Sequence, residues 1–350
     1  MAQGTERAAS GYRRIATEEA FVTDDVVKEW RKLLDARALD DPGFYSLSGY
    51  YLNDDSERAV AVRSRLADLG QRRLQDMDDT GIAMQVLSLT APGVQVFDAA
   101  TAVSLAASVN DQLAEAVCRH PERYAGLAAV APQEPSQAAK ELERAVTDLG
   151  LKGAVINSHT KGEYLDDEKF WDIFEAAEAL SVPIYIHPVT PSPAMIGPFL
   201  DRGLDGAIYG FAVETSVHAL RMIIAGVFDR FPDLKIVLGH LGEGLPFWLY
   251  RLDYMHGAIV NANRYEGVKP TKKRLSEYLK ENFYFTTSGM PWEPAILFTR
   301  SVIGRNRVMY AMDYPYQFNG YEVEMTDNLA LSPAELREFY ESIATRVFSL

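Results

Sequence analysis

Short apolar runs alternate with longer segments of helical periodicity along most of this chain. Eight runs have the length of a strand, at residues 14–17, 84–89, 124–130, 153–157, 183–186, 235–238, 283–286 and 307–311. Between them, apolar positions recur at the spacing of one helix face, as in residues 62–79, 102–119, 137–149, 168–180, 217–231 and 293–303. Such alternation predicts βαβ units and therefore a parallel sheet.

Eight such units close most naturally into a ring, so the predicted fold class is an α/β (β/α)₈ TIM barrel. The competing arrangement is an open, doubly wound sheet, which normally carries a glycine-rich turn after its first strand. Here the first strand runs into Thr17-Glu18-Glu19-Ala20, which contains no glycine. The barrel is therefore favoured, and a nucleotide-binding turn is not expected.

We predict one domain over residues 1–350, because no repeat, low-complexity tract or Pro/Ser-rich linker divides the 350 residues. Residues 1–11 are predicted to form a polar N-terminal tail. Residues 41–57 contain three tyrosines among glycines and aspartates and are interpreted as a loop insertion near the first helix. Such loops at the C-terminal face of a barrel commonly shape its pocket.

Composition and charge narrow the class of protein. A hydrophobic fraction of 47% with 24% charged residues is typical of a globular protein. The net charge of -14 and the lack of basic runs argue against nucleic acid as a partner. No apolar stretch approaches the ~20 residues that cross a bilayer, so no membrane partner and a cytoplasmic location are expected. Cys118, the single cysteine, shares an apolar helical pattern with Val109 and Leu113 and is predicted to pack there.

Four ionisable residues directly follow predicted strands, where barrel enzymes place their active sites. Glu18 follows the first strand, His187 the fifth, His240 the sixth and Asp313 the eighth. Each alone has an ordinary explanation, as a structural histidine or a turn aspartate. Together they predict a mixed nitrogen and oxygen site for a divalent ion, with Zn²⁺ and Mn²⁺ both open. His159, after the fourth strand, is a further candidate for the pocket.

Several motifs resemble the metal-dependent decarboxylase branch of the amidohydrolase superfamily, which includes γ-resorcylate and 5-carboxyvanillate decarboxylases. The resemblance is carried by IATEE at 15–19, YIHP at 185–188, LGHLGE at 238–243 and YAMDYP at 310–315. NSHT at 157–160 and LYRLDYMH at 249–256 resemble the carboxyvanillate type. The resemblance implies an amidohydrolase-type barrel with loop insertions at its C-terminal face. It also implies a homo-oligomer, a dimer or tetramer, and residues 204–211 are a candidate contact surface.

Carried over to this sequence, the resemblance makes Glu18, His187 and Asp313 the metal ligands. It places His240 beside the metal, paired with Glu243. Many superfamily members have a histidine two residues after the first ligand, where this chain has Ala20. The missing ligand should leave more open positions on the ion, which argues against a straight transfer of hydrolase chemistry. The expected cofactor is one Mn²⁺, with Zn²⁺ as the alternative.

The expected reaction is non-oxidative decarboxylation of an ortho-hydroxylated aromatic acid resembling carboxyvanillate or resorcylate. Direct loss of CO₂ would leave an unstabilised aryl carbanion, so the ring carbon must first be protonated. Asp313 is the predicted acid, with His240 and Glu243 as a relay. Chelation of phenolate and carboxylate by the metal would orient the substrate.

The substrate's negative charge requires a local cation in this acidic protein. Arg251 and Arg58 are the candidates, because a planar guanidinium matches a carboxylate. Tyr316 is predicted to bond a ring substituent, and Phe211 and Phe318 to wall an aromatic pocket. Two alternatives stay open from the sequence. One is a metal-dependent hydrolase of a lactone or amide with Asp313 as general base, and the other is an inactive barrel used as a binding module.

Overall fold

The strands of the computed structural model, which describes residues 11–350, form a closed parallel barrel. They are β1 (Ile15–Phe21), β2 (Met84–Leu89), β3 (Tyr124–Gly126), β4 (Ala128–Ala129), β5 (Ala154–Asn157), β6 (Pro183–His187), β7 (Lys235–Leu238), β8 (Phe283–Thr286) and β9 (Val308–Met309). β3 and β4 are two pieces of one barrel strand, so the eight predicted strands are confirmed. The ring closes where the Thr17 amide donates to the Tyr310 carbonyl at 3.2 Å.

Helices follow the strands and cover the outside of the barrel. Within residues 11–350 they are α1 (Asp24–Ala36), α2 (Pro42–Asn53), α3 (Glu57–Leu66), α4 (Gln71–Thr80), α5 (Ala99–Arg119), α6 (Pro135–Thr147), α7 (Trp171–Ala179), α8 (Gly197–Leu200), α9 (Gly210–Ile224), α10 (Val227–Arg230), α11 (His240–Glu243), α12 (Leu245–Asn261), α13 (Leu275–Glu281), α14 (Glu293–Ile303), α15 (Gly320–Asp327), α16 (Pro333–Arg337) and α17 (Ile343–Phe348). Short 3₁₀ turns lie at Glu168–Phe170 and Arg305–Arg307, and a π-helical turn lies at Glu338–Ser342. No helix in this part of the chain has the length and apolar character needed to span a bilayer.

The strands are buried on both faces, which explains their continuous apolar runs. Alternate side chains of one strand enter different apolar clusters. Tyr185 and Val237 point into the barrel and share a cluster with Ile343 and Val347 of α17. Their neighbours, such as Ile184, pack outwards against the helices. The interior is therefore filled below its mouth, and the polar strand ends are held on a rigid base.

The prediction of a loop at residues 41–57 is wrong, because most of this segment forms helix α2. Asp41 caps this helix by accepting a hydrogen bond from the Phe44 amide at 3.0 Å, and Pro42 stands at its first position. Asp followed by Pro is therefore a helix start here, although the same residues also favour turns. The predicted helix at 62–79 is likewise two helices, α3 and α4, because the chain breaks at Gly70.

The prediction that Cys118 packs in the core is also wrong. Its thiol is exposed near the end of α5, whereas Leu113 and Ala116 of the same helix are buried. Cys118 lies two residues beyond Ala116, where the helix directs a side chain away from the barrel. The predicted polar tail at 1–11 lies, except for Gly11, outside the described residues.

Candidate active site

The barrel mouth brings together the four ionisable residues predicted from the strand ends. Glu18 lies within β1, His187 ends β6, His240 follows β7 and Asp313 follows β9. Glu18 Oε1 lies 3.4 Å from His187 Nε2, and His240 Nε2 lies 3.8 Å from Asp313 Oδ2. Glu18, His240 and Asp313 each offer a donor atom, and these atoms lie within 4.8 Å of one another. Residues separated by up to 295 positions thus share one small space.

The two carboxylate oxygens of Glu18 have different surroundings. Oε2 accepts hydrogen bonds from the hydroxyls of Tyr185, Thr286 and Ser288. Oε1 is equally buried but has no hydrogen-bond partner among the described residues. A buried carboxylate oxygen without a donor is costly unless a cation faces it. Oε1 therefore fits a metal ion, and the three hydroxyls fix the other oxygen.

The imidazole of His187 directs its Nε2 into the same space. Its Nδ1 lies 2.8 Å from the carbonyl oxygen of Pro188, so Nδ1 carries the proton and donates it. Nε2 faces Glu18 Oε1 at 3.4 Å. This arrangement fits metal coordination through Nε2, in which a backbone carbonyl fixes the tautomer of a ligating histidine.

His240 stands on an unusual left-handed turn. His240, Leu241, Gly242 and Glu243 all have positive φ, at 49°, 55°, 78° and 54°. The turn brings Glu243 Oε1 within 2.8 Å of His240 Nδ1. Left-handed conformation costs a non-glycine residue about 1–2 kcal/mol, so packing must hold this turn. The result is an imidazole aimed at Asp313 with a carboxylate behind it.

Burial and mutual charge set the protonation of the group. Burial alone would lower the pKa of His240, but the carboxylates of Glu243 and Glu18 outweigh it and raise that pKa well above its usual value. Burial would raise the pKa of Glu18, yet His240 and His187 bring it below its usual value. Burial raises the pKa of Asp313, and the charge of Glu18 adds to that effect. The site therefore favours a protonated His240 beside a carboxyl that holds its proton more tightly than usual.

A cavity of about 270 Å³ opens beside this group. His187, His240 and Asp313 form its polar end, and its walls include Val22, Val27, Trp30, Leu47, Tyr51, Leu52 and Phe211. Two predicted substrate-binding residues, Arg58 and Tyr316, line it as well. An apolar slot with an arginine and a metal-ligand cluster fits a planar aromatic acid.

The structure does not bring the other predicted pocket residues to this cavity. Arg251 is exposed on α12 and does not line it. His159 lines a neighbouring cavity, and both of its ring nitrogens bond backbone atoms, the Gly162 amide and the Thr190 carbonyl. Phe318 lies outside as well, with its ring against Tyr314. These residues were chosen by their place in the sequence, which does not fix the direction of a side chain.

Sequence reasoning missed the residues that support the metal site. Tyr185, Thr286 and Ser288 bond Glu18, and Glu19 bonds the backbone on both sides of Asp313. Tyr185 lies two residues before His187 on the same strand, so alternation placed both side chains on the inner face. That alternation was the available signal for Tyr185.

Gly239 allows Glu18 to take its position, because a Cβ at Gly239 would lie 2.4 Å from Glu18 Oε2. Its φ of -71° is ordinary for any residue, so contact and not backbone strain is at issue. Gly239→Ala should displace Glu18 and weaken Mn²⁺ retention about 10–100-fold. Elemental analysis after dialysis against a chelator measures this. Gly320→Ala, which places its methyl group in open space, is the control. Full manganese retention in Gly239→Ala would exclude Glu18 as a ligand.

Comparison with known proteins finds a family match and similar relatives. Residues 61–350 match the amidohydrolase family. The γ-resorcylate decarboxylase of Polaromonas sp. strain JS666 is 34% identical over 345 residues, covering 96% of this chain and 98% of that protein.

Two solved structures superpose closely on this chain. The 5-carboxyvanillate decarboxylase of Novosphingobium aromaticivorans, complexed with manganese and 4-hydroxy-3-methoxy-5-nitrobenzoic acid, has a TM-score of 0.96 and 49% identity, covering 98% of this chain and 97% of that one. The 5-carboxyvanillate decarboxylase of Sphingomonas paucimobilis has a TM-score of 0.90 and 43% identity, covering 97% of this chain and 99% of that one. The likeness covers nearly the whole of this chain.

Proposed function

This chain belongs to the amidohydrolase family, and we propose that it is a carboxy-lyase acting on an ortho-hydroxylated aromatic acid, of the carboxyvanillate or resorcylate kind. The observation that carries the proposal is the unpartnered Oε1 of Glu18, which faces His187 Nε2 at the end of an aromatic-sized cavity. Relatives that share this fold are decarboxylases, and one binds manganese and a hydroxylated nitrobenzoic acid. The site and its relatives support the same reaction.

The donor set fits one divalent ion. Glu18 Oε1, His187 Nε2 and the Asp313 carboxylate would hold it, and this oxygen-rich set suits Mn²⁺, with Zn²⁺ as the alternative. His240 also offers a nitrogen within 4.8 Å of Glu18 and Asp313. When bound, the ion would supply a Lewis acid to which the phenolate and the carboxylate of the substrate can both bind. Ala20, at the position of the missing histidine, offers no ligand and leaves room for that chelation.

Proton delivery is the task of this chain's own residues. Asp313 donates a proton to the ring carbon that bears the carboxylate, and the ortho phenolate supplies electron density to that carbon. The C–C bond then breaks, its electron pair restores the aromatic ring, and CO₂ leaves. Asp313 has two carboxyl oxygens, so one would bind the ion and the other would carry the transferred proton. His240, 3.8 Å away and backed by Glu243, is placed to return a proton to Asp313.

Arg58 is the arginine placed to orient the substrate. It lines the cavity with Tyr51 and Tyr316, and its Nη2 donates to the Tyr316 carbonyl at 3.2 Å. The Tyr316 hydroxyl lies 2.6 Å from Thr90 Oγ1, which holds the ring at the cavity wall. A guanidinium anchored in this way can bond a substrate carboxylate in a fixed direction.

A homo-oligomer is a further part of the proposal. Helix α12 exposes a group of aromatic side chains, of which Phe247 is 74% and Tyr250 82% exposed. Arg251 lies on this helix, so it can bind substrate only if an adjacent copy presents it. Ile208 and Tyr209, in the predicted contact loop, are exposed as well. A single-domain organisation and a cytoplasmic location stay predictions from the sequence.

The reaction itself is tested with a panel of ortho-hydroxybenzoates. Mn²⁺-loaded protein should release CO₂, and chelator-treated protein should not until Mn²⁺ is restored. Turnover in D₂O should place one deuterium on the ring carbon that carried the carboxylate, as measured by mass spectrometry. A hydrolase would release no CO₂ and would leave the ring unlabelled. Product that retains its carboxylate would overturn the proposal.

Asp313→Asn tests the general acid. The amide cannot supply the proton, although its oxygen can still face the metal. We expect a folded protein that retains some manganese and loses about 10²–10⁴-fold in kcat, since general-acid transfer contributes that much. Single-turnover kinetics with metal content measured in parallel separate chemistry from binding. Activity near that of the wild type would exclude Asp313 as the acid.

Arg58→Lys tests substrate orientation, because it keeps the charge and loses the planar fork. Loss of one charged hydrogen bond should lower kcat/KM about tenfold while manganese content stays constant. Arg72→Lys is the control, because Arg72 is exposed and bonds only Ser64 among the contacts seen. Arg251→Lys should act similarly to Arg58→Lys if copies associate through α12, which sedimentation measures. Unchanged kinetics in Arg58→Lys would remove Arg58 from the site.

A further inference from the structure

Strand β1 contains an irregularity that separates the two adjacent glutamates. Ala16 pairs with Gln85 and Glu19 with Leu87, so three steps on β1 match two steps on β2. The extra residue forms a β-bulge, which redirects side chains and is common beside active sites. Glu18 bonds the hydroxyl groups inside the barrel, whereas Glu19 reaches the segment that follows β9.

The side chain of Glu19 accepts hydrogen bonds from the backbone on both sides of Asp313. Its Oε1 accepts from the Met312 amide at 2.9 Å, and its Oε2 accepts from the Tyr314 amide at 3.1 Å. Asp313 between them has φ of 71°, in the left-handed region that few non-glycine residues adopt. Such a residue keeps its conformation only if its surroundings hold it, and one carboxylate here holds both flanking amides.

Arg73, which is fully buried, contacts the same segments. Its Nη2 donates to the Ala20 carbonyl, and its guanidinium lies 4.4 Å from the centre of the Tyr314 ring. The Tyr314 hydroxyl in turn donates to Asp76 at 2.8 Å. Tyr314 is thus held at its amide, its ring and its hydroxyl, which fixes the residue that follows Asp313.

We propose that Glu19 is a positioning residue for the decarboxylation, because its bonds to two amides hold Asp313 in the conformation that aims its carboxyl at His240 and Glu18. Glu19 does not touch the substrate cavity and acts only through Asp313. The inference therefore rests on the proposed function of Asp313. A merely structural glutamate would affect stability without changing the properties of the Asp313 carboxyl.

Glu19→Gln keeps the shape of the side chain but replaces one acceptor oxygen with an NH₂ group. That group would face a backbone N–H, so one of the two bonds must be lost. We expect Mn²⁺ retention against a series of chelator concentrations to weaken about 10–100-fold, as is usual when a support of a metal ligand is removed. The kcat should fall by a similar factor with little change in KM, since the cavity walls and Arg58 are untouched.

A double-mutant cycle on the full-length protein shows whether Glu19 acts through Asp313. In the Asp313→Asn background, Glu19→Gln should have little further effect on manganese retention, because the group that it positions is already altered. Additive losses would overturn the inference. Unchanged manganese retention in Asp313→Asn alone would contradict the proposed ligand, and the inference with it.

Glu214→Gln is the matched control. Glu214 is also fully buried and also accepts a backbone amide, that of Ser192 at 3.0 Å, but it does not line the cavity. It should lower the melting temperature as Glu19→Gln does, and leave manganese retention near that of the wild type. Equal manganese loss in both variants would reduce Glu19 to a structural residue. If Glu19→Gln does not fold, Glu19→Asp, too short to bond both amides, enters the same cycle with the same expected outcomes.

Discussion

Two carboxylates and two imidazoles share a small space at the barrel mouth, and the rest of the site depends on how their charges compensate one another. Coulomb interactions are strong at such short distances in a low dielectric, and a charge left without a partner is expensive. Three hydroxyls satisfy one oxygen of Glu18, and the other oxygen faces His187. The remaining unsatisfied position is the one that a divalent cation would fill.

Three backbone irregularities lie at this space, and each one directs a candidate functional side chain. The bulge in β1 turns Glu18 inwards, the left-handed turn after β7 directs His240, and Asp313 has positive φ. Each costs conformational energy that a regular strand end would not. Close packing around them holds the geometry, since a Cβ on Gly242 would lie 2.4 Å from the Phe285 ring. Rigid strands below supply the base on which these local deviations persist.

Much of the fold could be predicted because burial on both faces makes each strand a continuous apolar run. Strands β2, β7 and β8 match the predicted bounds, and the residues that follow strands meet at the mouth as barrel geometry requires. Helix α2 was missed because Asp41 and Pro42 start helices and turns alike. Arg251 and His159 do not line the cavity of their own chain, because the direction of a side chain depends on the local backbone. Thr286 and Ser288 could not be identified as supports of Glu18, because an ordinary residue at the end of β8 and another in the turn after it meet Glu18 only when distant segments come together.

Ala20 bears on both the metal site and the backbone that surrounds it. At the position where many superfamily members have a second histidine ligand, this chain has a small buried residue whose backbone is used instead. The Ala20 amide donates to the Tyr314 carbonyl at 2.7 Å, and its carbonyl accepts from Arg73. Position 20 therefore offers no metal ligand. Its backbone instead bonds the end of β1 to the loop that carries Asp313. Fewer protein ligands would leave room for a chelating substrate, and the same strand holds in place the loop that carries Asp313, the proposed acid.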